Sequence, residues 1–204
     1  MPQSTRIGRP PKIENARQRI LDHAARLFAE KGYETSSLAE LAERLGLTKP
    51  ALYNYFASKQ ELYDAIILVT LSGLVETVTA AVACESSPSA KLRRFMMSHA
   101  RYFEAHHDGF VAMLIGFGGM DSMEFRKEAL ALRNEHEHLL RAILADGVEA
   151  GAFRTIDPVT ASRAILSLLN WMARWFKPGG GKSAEQFALD YFELLALERT
   201  GRTD

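Results

Sequence analysis

Apolar residues recur every three or four positions along most of this chain, the period of helices that each bury one face. Ile20, Ala24, Leu27 and Phe28 mark a first helix over about 15–31, with Gly32 as its stop. Leu38, Leu41, Ala42 and Leu45 mark a second, and Ala51, Leu52 and Phe56 a third that runs from Thr48 to about Ala57. A fourth helix begins at Ser58 and carries Leu62, Ile66 and Val69 on towards Ala83. The run Glu85-Ser86-Ser87-Pro88-Ser89 breaks the pattern. Beyond it, Leu92, Phe95, Met96, His99, Tyr102 and Phe103 trace a fifth helix that ends near Asp108-Gly109. A short apolar run over 110–117 follows, then helices over about 122–150, from Asp157-Pro158 to Phe176, and over 183–199. No stretch alternates convincingly as a strand would. The pattern predicts an all-α chain of nine helices.

The stretch from Ser36 to Lys59 carries the sharpest local signals. Ser37-x-x-Glu40 is a capping box that opens the second helix. Gly46 ends it, and Leu47 plugs the corner. Thr48 is an N-cap, with Pro50 in the first turn of the third helix, where a missing N–H costs little. Ser58-x-x-Glu61 starts the next helix. Two short helices about a tight turn form a helix-turn-helix, whose second helix enters the DNA major groove with its N-terminal residues at the base edges. That places Lys49, Ala51 and Asn54 near bases, the Ala51 methyl being suited to a thymine methyl. Ser37, Thr48, Tyr53, Tyr55 and Lys59 are expected on phosphate, and Pro50 at the same helix end. The plain alternative is a helical hairpin with a tyrosine-rich solvated face.

From Ala16 to Leu62 the chain resembles the DNA-binding domain of the TetR family of transcriptional repressors. The matching residues are A-x-x-L-F-A-E-K-G-Y-E-T-S-S (24–37), L-A-E-R-L-G-L-T-K-P-A-L-Y-N-Y-F (41–56) and S-K-Q-E-L (58–62). The resemblance implies a nine-helix architecture: a three-helix DNA-binding domain over 13–58, then a ligand-binding and dimerisation domain over 59–204. Residues 1–12 are read as a flexible basic arm.

Charge sharpens this division. The formal net charge is zero over 204 residues, which argues against a wholesale polyanion binder. Yet residues 1–19 hold Arg6, Arg9, Lys12, Arg17 and Arg19 against Glu14 alone, the footprint of a chain that meets nucleic acid at one end. Arg6-Ile7-Gly8-Arg9-Pro10 resembles an AT-hook core, which would set Arg6 and Arg9 in a minor groove. A basic tail with non-specific attraction is the other reading. Cys84 is the single cysteine, so no internal disulfide forms and a reducing compartment is expected. With no apolar leader and no window of membrane-spanning length expected, the reading is a cytoplasmic protein.

The last two helices are apolar on more than one side. Ile165, Leu168 and Leu169 with Trp175, and Phe187, Tyr191, Leu194 and Leu195, exceed what a lone domain of this size buries. In TetR-like proteins these helices pair with their mates in a second subunit as a four-helix bundle, so these residues are expected at a homodimer interface. A two-fold dimer also suits two recognition helices about 34–36 Å apart on one face of the duplex. The stretch Asn170-Trp171-Met172-Ala173-Arg174-Trp175 resembles a signature of the TetR-like subgroup that senses acyl-coenzyme A thioesters. Asn170, Trp171 and Arg174 are therefore expected at the ligand, with Phe103, Met113, Phe117 and Phe125 as pocket walls. Core or interface packing is the competing use of both tryptophans.

Other motifs lead elsewhere only weakly. Gly180-Gly181-Lys182-Ser183 has Phe176 where a phosphate loop needs its first glycine. Gly116-x-Gly118-Gly119 lacks the third glycine of a dinucleotide fingerprint, Asp121 standing there. Glu104-x-x-His107 and Glu135-x-x-His138 have di-iron spacing, but the second lies in a run read as a solvated helix face. No catalytic residue, metal site or cofactor is expected, and the chain is read as no enzyme. The sequence thus predicts a homodimeric repressor that binds a palindromic operator in double-stranded DNA. A small, largely apolar effector, an acyl-CoA among the candidates, would release it. An architectural A·T-binding protein, a di-iron helical-bundle enzyme and an activator built from the same residues are the alternatives.

Overall fold

The computed structural model describes residues 16–115, 123–195 and 197. Arg6, Arg9 and Phe117 lie outside them. Among the described residues there are nine α-helices and no strand: α1 Ala16–Lys31, α2 Leu38–Leu45, α3 Lys49–Tyr53, α4 Lys59–Ala83, α5 Pro88–Ala105, α6 His107–Ile115, α7 Met123–Glu149, α8 Pro158–Trp171 and α9 Ala184–Leu195. A single 3₁₀ turn, Met172–Arg174, follows α8. The all-α expectation holds.

Local bonds set the helix starts. Ser37, Thr48, Ser58 and Ser87 each accept the backbone N–H three residues on, and Asp157 accepts from Val159 and Thr160. Each satisfies a donor that the first turn leaves orphaned. Ser183 and Gln186 cap α9 reciprocally, each side chain accepting the other's N–H. The Lys182-Ser183 pair, with its likeness to a phosphate loop, is therefore a helix start.

Two apolar cores result. One gathers α1, α2 and α3 with Leu62, Tyr63, Ile66, Ile67 and Leu71 of α4, and it also takes in Ala112 of α6 and Ala129 of α7. The other gathers the far half of α4 with α5, α7, α8 and α9 around Phe95, Phe103, Phe110 and Phe153. Because α4 threads both, it is apolar nearly all round, as a helix enclosed by neighbours must be. Contrary to expectation, one helix therefore does reach the length and composition needed to cross a membrane. It is this one, with half of its apolar window buried inside the protein.

Several expectations from the sequence are corrected by this packing. The third helix stops at Tyr53 rather than near Ala57, because Phe56 must turn inward to the N-terminal core before Ser58 opens α4. Ile165 and Leu169 are fully buried within the subunit's own core and are not available to a second subunit. Phe103, expected beside the ligand, is likewise sealed in that core, edge-on to Phe110 and Phe176. Glu104, one half of a metal-like pair, accepts the backbone N–H of Ala184 at the start of α9.

Candidate functional site

Gly46 makes the turn between α2 and α3. It sits at φ 65° in the left-handed region, where a side chain is strained. Its N–H reaches Glu43 O at 3.0 Å, and that of Leu47 reaches Ala42 O at 2.8 Å, so the last carbonyls of α2 are satisfied as the chain swings round. Lys31 and Arg44 brace α2 against α1: Lys31 pairs with Glu40 at 2.5 Å, and Arg44 with Glu30 at 2.8 Å and Glu40 at 3.0 Å. The hydrogen bond from Lys31 holds the Glu40 carboxyl below its usual range. Glu40 thus spends its carboxylate on cations instead of closing the capping box.

One face of α3 is pinned by Leu52, which is wholly buried. The opposite face stands clear. Thr48, Lys49, Pro50 and Asn54 are exposed, as are Tyr53 (51%) and Tyr55, while Ala51 is half-buried. Ser37 is exposed at the start of α2. Lys59, expected on phosphate, is half-buried and engaged within its own chain. Its ammonium donates to Ser36 O at 2.9 Å and Glu34 O at 3.4 Å, 4.2 Å from the Tyr33 ring centre. It clips the loop before α2 to the start of α4.

A cavity of about 780 Å³ opens where α4, α5, α6, α7 and α8 meet. Ile67, Leu71, Leu74, Met113 and Leu114 form its apolar wall. Exposed Arg126, Arg133 and Arg163 contribute to its rim, with Asn134 and Asn170 between. Glu137 also lines it and pairs with Arg141 and, at 4.0 Å, with Arg163. Deep in the wall His99 and His136 meet, their Nδ1 and Nε2 atoms 3.0 Å apart. They are 1% and 6% exposed. Burial, reinforced by His136, pushes His99 well below the usual imidazole range, and burial pushes His136 down to about 4. Both rings are therefore neutral near pH 7.

The geometry divides the expected ligand residues. Met113 and Asn170 line the cavity. Phe125 is half-buried and outside its lining. Trp171 is 63% exposed on another side of α8, with the Arg174 guanidinium 5.6 Å from its ring centre, so neither forms a pocket wall. A step of one residue turns a helix by about 100°, and Arg163, Leu166 and Asn170 hold the cavity side. Sequence reasoning missed His136, reading its neighbourhood as solvated. Glu135 and His138 are indeed exposed, but His136 faces inward. The signal available was its spacing from Leu132, Leu139 and Leu140, the apolar positions of the same helix.

The cavity and the helix-turn-helix share a residue. Tyr63 lines the cavity, yet its ring lies against Phe28 and Tyr33 in the N-terminal core, at 5.8 and 4.8 Å between ring centres. Its hydroxyl donates to Ala112 O of α6 at 3.0 Å.

Comparison with known proteins decides the family. The family profile described as "Bacterial regulatory proteins, tetR family" matches residues 20–66, and "Tetracyclin repressor-like, C-terminal domain" matches residues 85–197. The chain belongs to the TetR family of transcriptional regulators. It is similar to the TetR family regulator PfmR from Thermus thermophilus, at 50% identity and a TM-score of 0.83, over 89% of this chain and 100% of that one. It is also similar to the transcriptional repressor KstR2 of Mycobacterium tuberculosis, at 26% identity over 90% of this chain and 92% of KstR2. A third likeness is to AibR in complex with isovaleryl coenzyme A and operator DNA, at 26% identity and a TM-score of 0.79, over 90% of this chain and 99% of AibR. As a TetR regulator the chain carries a DNA-binding helix-turn-helix and a C-terminal ligand-binding domain.

Proposed function

We propose that this TetR regulator is a cytoplasmic, homodimeric repressor that leaves its operator when an acyl thioester fills the 780 Å³ cavity. Apolar walls suit an acyl chain, and Arg126, Arg133 and Arg163 on the rim suit the phosphates of a coenzyme A. The isovaleryl coenzyme A bound by the related AibR supports this ligand class.

On the DNA side, α3 enters the major groove with Lys49, Ala51 and Asn54 at the bases. Ser37, Thr48, Tyr53 and Tyr55 meet phosphates, and Arg6 and Arg9 extend the contact into the minor groove. Residues 13–58 supply this head and 59–204 the sensing and pairing part. The mate sits on the apolar face of α8 and α9. There Leu168, Trp171, Trp175 and Leu194 stand at least partly exposed in the single subunit, Leu194 at 76%, with half-buried Phe187, Tyr191 and Leu195 beside them.

The observation that carries the reading is Tyr63. A ligand against Ile67 and Leu71 displaces the same turn of α4 that holds this ring in the DNA-binding core and its hydroxyl on α6. The α4–α6 contact is tight, since a Cβ on Gly109 would come 2.6 Å from Thr70 Oγ1. The two helices therefore shift together. Two states, one matched to the groove spacing and one stabilised by ligand, then give release by population shift.

Footprinting of the purified protein tests the reading, joined to sedimentation at micromolar concentration. A protected palindrome, a dimer and loss of protection on adding octanoyl-CoA are expected. A monomer, or protection without two-fold symmetry, overturns it.

A further inference from the structure

The His99–His136 pair is more than packing. Inside a protein, a buried polar atom normally finds a partner. Here the inner nitrogens bond each other at 3.0 Å, while His99 Nε2 and His136 Nδ1, both buried, have no hydrogen-bond partner among the described residues. Both rings line the cavity, and aromatic neighbours surround them. Phe95 stacks on His136 at 4.6 Å, and Phe110 lies 6.0 Å from His99.

The proton count of such a pair is fixed by its chemistry. Two neutral imidazoles own two N–H groups and two bare nitrogens. The bond between them consumes one of each. Whichever ring donates, one N–H and one bare nitrogen remain at the outer ends. If His99 donates, the N–H left over is on His136, and if His136 donates, it is on His99. The pair thus keeps one unmatched donor and one unmatched acceptor within two residues that line the cavity, and it exchanges their places by a tautomer shift without acquiring charge.

Polarity along the cavity then runs in three zones. Arginines stand exposed at the rim, aliphatic side chains form the wall, and a neutral donor–acceptor pair lies buried. A plain hydrocarbon chain reaching this pair leaves both outer nitrogens unmatched. A chain oxygen set against either outer nitrogen pairs that one, a hydroxyl serving the donor or the acceptor and a keto oxygen the donor.

We propose that His99 and His136 select acyl effectors bearing a hydroxyl or keto oxygen on the part of the chain that enters the cavity, over their unsubstituted counterparts. This rests on the reading of the cavity as an acyl-thioester site. Matching a buried donor or acceptor against leaving it bare corresponds to a preference of about 5–150-fold.

The test is calorimetry of the whole protein with octanoyl-CoA, 3-hydroxyoctanoyl-CoA and 8-hydroxyoctanoyl-CoA. One hydroxylated thioester is expected to bind about 5–150-fold more tightly than octanoyl-CoA. His136→Leu should abolish the preference, and His136→Gln, which keeps a donor and an acceptor, should retain part of it. Thermal unfolding of each variant shows that it is folded, and the comparison of ligands on the unsubstituted protein stands without either variant. If all three thioesters bind equally, the selection by the histidine pair is wrong and the acyl-thioester site survives. If none binds at millimolar concentration, both readings fall. A preference that persists undiminished in His136→Leu places the selection elsewhere and overturns the assignment.

Discussion

The helix-turn-helix and the cavity are built on opposite plans. Every exposed side chain offered by α3 lies within seven residues of Thr48, and the caps that aim them bond three residues away. The cavity draws on five helices between Tyr63 and Asn170, and its buried polar pair joins positions 37 residues apart. A surface meant to read a regular partner is specified by short-range chemistry. An enclosure meant to fit one molecule is specified by what several helices happen to bring together. The first tolerates change in its surroundings, whereas the second feels any change in packing.

Acid should expose this contrast most strongly. Both histidines are neutral when folded and take up protons readily once unfolded, so the unfolded state binds more protons below the ordinary imidazole value of 6.5. Stability is then full above 6.5 and falls as pH drops towards the folded value, about 4 for His136. For His136 this loss between pH 7 and pH 5 is about 2 kcal/mol, and His99 adds to it in the same direction. Urea unfolding at the two pH values should show that loss, and a His99→Leu/His136→Leu variant should lose most of it. Equal slopes in both proteins would mean that the pair is not the acid-sensitive element.

Overpacking comes next. A Cβ on Gly147 of α7 would lie 2.0 Å from the ring of Phe153, which is itself buried. Gly147→Ala should therefore destabilise by about 1–3 kcal/mol, read as a lower melting temperature. Removal of a local cap is milder. Thr48→Ala deletes the hydroxyl that accepts Ala51 N–H and should cost about 1 kcal/mol. A loss as large as that of Gly147→Ala would erase the distinction between the two plans.

The smallest effect separates two lysines. Lys49→Ala should weaken binding to the operator more than to unrelated DNA, as loss of a base contact does, whereas uniform weakening with a salt slope lower by about one unit would put Lys49 on phosphate instead. Lys59→Ala should leave the slope nearly unchanged and loosen the loop, since its ammonium is already held by Ser36 O and Glu34 O. A changed slope for Lys59 alone would reverse these roles.

The same contrast governs what the sequence discloses. The capping serines, Thr48 and Gly46 announce themselves because each acts on neighbours a few residues away. The cavity does not, for its members become neighbours only after folding. Trp171 illustrates the limit. Its helix is apolar on more than one side, so composition cannot say whether position 170 or 171 faces the cavity, and the structure chooses Asn170. His136 is hidden for a related reason, being one inward residue in a run whose neighbours Asn134, Glu135 and His138 are exposed. Lys59 shows the reverse case, where a lysine in the right place for DNA is claimed by two carbonyls of its own chain.

Ala112 and Ala129 belong to the N-terminal core although they lie far along the chain. The head is thus not a cassette. An excised fragment ending within α4 would leave those two methyl groups' places open, and a chimaera that exchanges DNA specificities between relatives must transplant matching surfaces of α6 and α7 along with the first three helices.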